Sequence, residues 1–130
     1  MNFRSIKGEV LRKAAEQNHA PAQALLAYLY ATGKGLPRDW AEAAQWARRA
    51  VDQGNPQGQA ELASLYEQGT GVPLDYVCAY RLYLLSLRGG NEAIKSKMDE
   101  LSRIMTPRQI REATKLDAAR DEVTKSLACR

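Results

Sequence analysis

The chain has 130 residues, a formal charge of +4, 45% hydrophobic residues, two cysteines and one histidine. That length holds one domain with an ordinary core, and the basic excess is interleaved, nine basic against eight acidic residues through Leu87 and ten against seven afterwards. Without a run of like charge there is no nucleic-acid arm to read, and no apolar stretch is long enough for a membrane span.

The first element, in residues 1–17, carries Phe3, Ile6, Val10 and Ala14 at helical spacing. It reads as a half-repeat that caps the N-terminus, with Lys7 where later copies have alanine. The opening "MNFRSIKGEVLRKAAEQ" has no apolar h-region. The chain as given is therefore expected in the cytoplasm, or in the periplasm or outside the cell if a leader precedes it.

Residues 18–53 form the first full unit. A helix over about Pro21 to Thr32 carries Ala24, Leu26, Ala27, Leu29 and Tyr30, a broad apolar face at 3.6 periodicity. The link "GKGLPRD" then supplies Gly33 where a left-handed residue ends a helix, Gly35 for a second positive φ, Pro37 as a stop and Asp39 as the next N-cap. The second helix places Ala43, Trp46, Ala47 and Ala50 on one face.

Residues 54–89 repeat this plan at an offset of 36 residues. Leu26 pairs with Leu62, Tyr30 with Tyr66 and Ala43 with Ala79. Gly33, Gly35, Pro37 and Asp39 pair with Gly69, Gly71, Pro73 and Asp75, and Trp46 pairs with Leu82. The final segment, 90–130, keeps Met98 and Leu101 in register but replaces the glycine link by "MTPRQ". It reads as a degenerate repeat followed by a capping helix, whose outer face meets water. The expected architecture is all-α, a solenoid of stacked antiparallel helix pairs with about seven helices.

The glycines invite a phosphate-loop reading, which the spacing excludes. A Walker loop needs four residues between its first glycine and Gly-Lys-Ser/Thr, and a strand before it. Lys34 instead precedes Gly35, and the second copy has Thr70 in its place. The lone His19 lies in the turn between units, in register with Asn55 and Asn91, and is expected at a capping position. The adjacent carboxylates Asp99 and Glu100 point apart on a helix. Neither a nucleophile–base set nor a Cys/His ligand spacing is present, so no enzyme activity, metal or cofactor is expected. Cys78 reads as a small buried hydrophobe and Cys129 as an exposed residue near the terminus, with nothing local favouring a bridge between them. Trp40 and Tyr76, each following an N-cap aspartate, read chiefly as staples of the link and secondarily as partner contacts.

The unit A-x-L-A-x-L-Y-x-x-G-x-G-[LV]-P-x-D-x-x-x-A resembles the Sel1-like repeat, a relative of the tetratricopeptide repeat. Two clear copies span Ala14 to Arg88, and "MTPRQIREATKLDAAR" is similar to the closing helix of bacterial members. Asn18 in place of glycine and Leu82 in place of tryptophan depart from the pattern. The resemblance implies a right-handed superhelix acting as an adaptor for protein complexes, without catalytic residues. Some members are secreted and stapled by one cysteine pair per repeat, a pattern this chain lacks.

Function is then expected on the concave side, lined by the first helices of successive units. Positions freed from packing there are Leu25 and Tyr28, then Glu61, Ser64 and Glu67, then Lys97, Glu100 and Arg103. They would form a stripe that begins apolar, turns acidic and ends mixed, suited to a protein or peptide partner. The alternative is a structural piece that homodimerises, or completes a larger array, through its unfinished ends.

Overall fold

A computed structural model describes residues 3–115 and Cys129, with side chains from Gly8 onward. Among these residues the chain forms seven α-helices: α1 (Phe3–Glu16), α2 (Ala20–Thr32), α3 (Trp40–Asp52), α4 (Pro56–Gln68), α5 (Tyr76–Arg88), α6 (Lys95–Ile104) and α7 (Pro107–Lys115). One 3-10 turn, Glu92–Ile94, leads into α6. The architecture is the expected all-α solenoid. The side chains of Phe3, Ile6 and Lys7, and the expected closing helix beyond Lys115, lie outside the described residues.

Helix ends follow from the link residues. Gly33 is left-handed at φ 75° and its N–H donates to the Leu29 carbonyl; Gly69 does the same at φ 67° toward Leu65. Asp39 and Asp75 then accept from the N–H groups of Glu42 and Cys78 at 3.1 and 3.0 Å, which satisfies otherwise orphaned donors at the starts of α3 and α5. Their own N–H groups donate back to the carbonyls of Tyr30 and Tyr66 at 2.9 and 3.0 Å. These paired bonds lock each link onto the helix it leaves.

The turns between units use a third left-handed position, occupied by Asn18, Gly54 and Gly90 at φ 70°, 72° and 104°. Asparagine tolerates this region better than other side chains, and Asn18 gains partners there. Its Oδ1 accepts from Gln23 at 3.3 Å and from Gln53 at 3.2 Å. Gln23 is fully buried, and its Nε2 also donates to the Ala15 carbonyl at 3.0 Å. A buried amide thus adds a second donor to the Ala15 carbonyl, which also accepts from the Asn18 N–H at 3.1 Å. His19 occupies the N-cap position of α2 with extended backbone, but its side chain makes no capping bond.

Alanines set the spacing of the core. Ala27, Ala43, Ala47, Ala50, Ala63 and Ala79 are all fully buried, alongside Leu26, Leu62 and Leu82. At Gly58 the approach is closer still: a Cβ added there would lie 2.4 Å from the Ala50 Cβ. Small residues at facing positions bring helix axes together, and Trp46, Tyr66 and Tyr83 fill the wider gaps.

The last unit departs from the register in an instructive way. Counting 36 residues from Tyr76 would start its second helix at Glu112, but α7 starts at Pro107 after a two-residue link. Thr106 explains the early start. Its Oγ1 accepts from the Gln109 N–H at 3.1 Å while its own N–H donates to Gln109 Oε1 at 2.9 Å, a reciprocal capping box with proline at the first helical position. The helix then packs on α5 and buries Ala113.

The cysteine expectation is corrected. Cys129 is buried and forms a disulfide with Cys78, across 51 residues of sequence and a Cα separation of 5.2 Å. Proximity to the end of the sequence suggested exposure, but the chain returns to the face of α5, where Arg81 Nη1 also donates to Cys129 Sγ at 3.0 Å. The bridge joins distant parts of the array and is unlike a pair within one repeat.

Candidate partner-binding groove

Successive first helices set several side chains along one flank of the stack. Tyr28, Ala31 and Thr32 of α2 face Gln57, Glu61, Ser64 and Gln68 of α4 across a groove of about 440 Å³, closed at its far side by Asn91, Ala93 and Lys97. Four of the eight predicted positions therefore come together: Tyr28, Glu61, Ser64 and Lys97.

The other four separate for identifiable reasons. Leu25 is 47% exposed but lines a different, apolar groove at the N-terminal end. Glu67 is turned toward the core, where its Oε1 accepts from the hydroxyl of fully buried Tyr83 at 2.7 Å. Glu100 and Arg103 are exposed on α6 and do not line the groove. Gln57, Gln68 and Asn91 line it and escaped the sequence reading; their signal was that polar side chains occupy register positions of a first helix without a capping or turn duty for the two glutamines.

Electrostatics differ along the groove. Burial raises the Glu61 carboxyl to about 7, partly opposed by the ammonium of Lys97. Burial likewise raises the phenol of Tyr83, reinforced by its bond to Glu67. Tyr28 is held by Lys34, whose Nζ donates to the phenol oxygen at 2.7 Å and lies 5.2 Å from the ring centroid. The lysine of the first link thus braces a groove tyrosine.

A stability consequence follows from Glu61. Its folded pKa of about 7 lies above the ordinary carboxyl value of 4.5, so the folded state holds a proton that the unfolded state releases. That contribution is complete below pH 4.5 and is lost as pH rises through about 7. The loss should be on the order of 3 kcal/mol, since one pKa unit is about 1.4 kcal/mol. Urea titrations of the wild type and Glu61→Gln across this range should show the wild type weakening relative to the variant. Parallel curves would mean that Glu61 titrates normally.

Trp40 and Tyr76 show how the links are stapled. Trp40 stays 40% exposed with the Arg38 guanidinium 5.4 Å from its ring centroid, whereas Tyr76 packs partly against the core. The backbone of Trp40 carries the tighter contact: a Cβ at Gly71 would lie 2.4 Å from the Trp40 carbonyl oxygen.

Stacked helix pairs, paired glycine links and a groove built from successive first helices define an α-solenoid of the kind that generally serves protein interaction. The Sel1 repeat model matches residues 11–19, 20–55 and 56–91, and the chain belongs to the Sel1 repeat family. A Sel1 repeat protein from Oxalobacter formigenes is similar in structure, at 38% identity and TM-score 0.63 over 69% of this chain and 68% of that one. A protective antigen present in uropathogenic Escherichia coli strains, displaying an SLR fold, matches at 33% identity and TM-score 0.63 over 69% of this chain. This chain covers only 19% of that antigen's length. No curated protein matches the sequence. Sel1 repeats are typically non-enzymatic, and no helix among the described residues is long and apolar enough to cross a membrane.

Proposed function

We propose that the chain is an adaptor that grips an extended segment of a protein partner along the groove between α2, α4 and α6. The observation that carries this reading is the convergence of Tyr28, Glu61, Ser64 and Lys97 from three successive units around one opening. None of the four belongs to the hydrophobic core, so packing does not account for their placement. The groove offers an aromatic face, amides that match a peptide backbone, and both signs of charge. Such a surface binds through a few well-placed contacts while the remainder excludes water. The Cys78–Cys129 bridge supports a periplasmic or secreted site of action over the cytoplasmic one, because disulfides persist in oxidising compartments.

Combining Tyr28→Ala with Glu61→Ala should weaken capture of the native partner by about a hundredfold, equivalent to about 2.7 kcal/mol. Circular dichroism should remain that of the wild type, because both side chains are only partly buried. Capture that survives this double change with the fold intact would place the binding surface elsewhere.

A further inference from the structure

Most polar side chains in and beside the α2–α4–α6 groove are engaged within the chain. The phenol oxygen of Tyr28 accepts from Lys34 at 2.7 Å, and the Ser64 hydroxyl accepts from the Gln68 amide at 3.2 Å. Asn91 donates to Ser86 at 2.9 Å, and Glu67 accepts from the Tyr83 hydroxyl at 2.7 Å. Glu61 differs. It lines the groove half-buried, with no hydrogen bond or ion pair among the described residues.

Two carboxyl groups on one helix thus have opposite fates. Glu67 has a donor built into the fold, whereas Glu61 has lost part of its hydration and received none in return. Such a carboxylate is costly, and burial pushes its pKa up to about 7. The groups around it do not remedy this. Lys97 on α6 opposes the shift only in part, and it stays exposed without forming an ion pair. Tyr83 on α5 directs its hydroxyl to Glu67, and Tyr28 on α2 and Lys34 of the first link bond to each other.

The lining indicates which donor fits. Ala31, Ala60, Leu65 and Ile94 share the groove with Glu61, so an apolar wall accompanies a single half-buried carboxyl. Lysine and arginine match that profile, with a hydrocarbon stem that packs on apolar surface and a cationic head carrying several N–H donors. An acidic side chain would be repelled, and a purely apolar one would cover the carboxyl and leave it unpaired.

We propose that Glu61 is the anchor for a basic side chain of the partner, whose stem packs on the apolar lining and whose cationic head pairs with the carboxylate. This rests on the groove reading above and adds the partner's chemistry: a protein segment that presents a lysine or arginine. Pairing needs the ionised carboxylate, so a protonated Glu61 releases its proton to solvent as the cation binds. With a free value of about 7, affinity is highest above that pH and falls as pH drops through it. The fall should be about tenfold between pH 8 and pH 6.

The probe is the capped pentapeptide Ala-Ala-Arg-Ala-Ala, with analogues carrying lysine, citrulline or glutamate at the centre, titrated into the isotopically labelled full chain. Saturable shifts at Glu61, Ser64 and Gln68 are expected with arginine and lysine, and binding at least about tenfold weaker with citrulline. Glu61→Gln, with the circular dichroism of the wild type, should abolish both the preference for arginine over citrulline and its pH dependence. Glu100→Gln, outside the groove, should leave both unchanged. Equal affinity for arginine and citrulline, a preference that survives Glu61→Gln, or no shift at millimolar arginine peptide would each overturn the proposal. Groove shifts shared equally by all four peptides would remove the anchor and keep the groove, whereas shifts confined to other surfaces would remove both.

Discussion

Opening the Cys78–Cys129 bridge should lower the unfolding free energy by about 4 kcal/mol, the loop-closure value for a crosslink of this span. The bridge closes 51 residues, covering α5 through α7 and the return of the chain to α5. Two arms test it: reduction of the wild type, and the double substitution Cys78→Ala with Cys129→Ala. Each should lower the melting temperature by on the order of 10–20 °C. The substitution should cost somewhat more than reduction, because it also removes the sulfur that accepts from buried Arg81. An unpaired buried donor carries its own desolvation penalty. Denaturant midpoints that coincide for oxidised and reduced protein would show that the bridge contributes nothing to the folded array.

Gly71→Ala should destabilise the chain by about 3 kcal/mol, while Gly35→Ala should cost only about 1 kcal/mol. Both glycines are left-handed, at φ 76° and 89°, so each substitution incurs the roughly 1–2 kcal/mol of that backbone region for an L-residue. The difference lies in their neighbours. At Gly71 the added methyl meets backbone, 2.4 Å from the Trp40 oxygen and 2.9 Å from its carbonyl carbon, and such overpacking adds about 1–3 kcal/mol. At Gly35 the same methyl meets open space. Urea unfolding of the two single variants should separate them clearly. Equal losses would mean that the two links are packed alike, contrary to the space beside Gly35.

The comparison of these two glycines shows what was legible in the sequence. Gly33, Gly35, Pro37, Asp39 and their counterparts act within a few residues of themselves, so a linear reading assigns their conformations and caps correctly. Their identical spacing also reveals the repeat, and with it the all-α solenoid. What distinguishes Gly71 from Gly35 is the backbone of a preceding unit, which no local pattern encodes. Asn18 is similar: it looks like a departure from glycine, yet it sits at φ 70° and gains amide partners from Gln23 and Gln53.

The candidate groove was legible by half for the same reason. Register identifies positions exempt from packing between repeats, and of these Tyr28, Glu61, Ser64 and Lys97 line one groove. It cannot tell which flank of a helix a freed residue occupies, so Leu25 was grouped with Tyr28 although the two line different grooves. Glu67 was misread because its partner, the Tyr83 hydroxyl, belongs to the second helix of the same unit. Cys129 was misread because its partner lies 51 residues away. Thr106 and Gln109, by contrast, form a local T-x-x-Q capping box that the sequence displays openly.

Nearest-neighbour stacking has a kinetic consequence. The helices pack mainly on the next one along or the one after that: α2 on α3 and α4, α3 on α4, α4 on α5, and α5 on α6 and α7. Contacts so near in sequence close only short loops, and chains of this kind fold rapidly. During synthesis each helix pair can settle on the last as it emerges, with growth proceeding in one direction along the array. The covalent link between Cys78 and Cys129 stands outside that scheme, since its second thiol arrives only after α5, α6 and α7 have been made. The bridge therefore acts as a latch on an array already stacked and has no part in guiding its assembly.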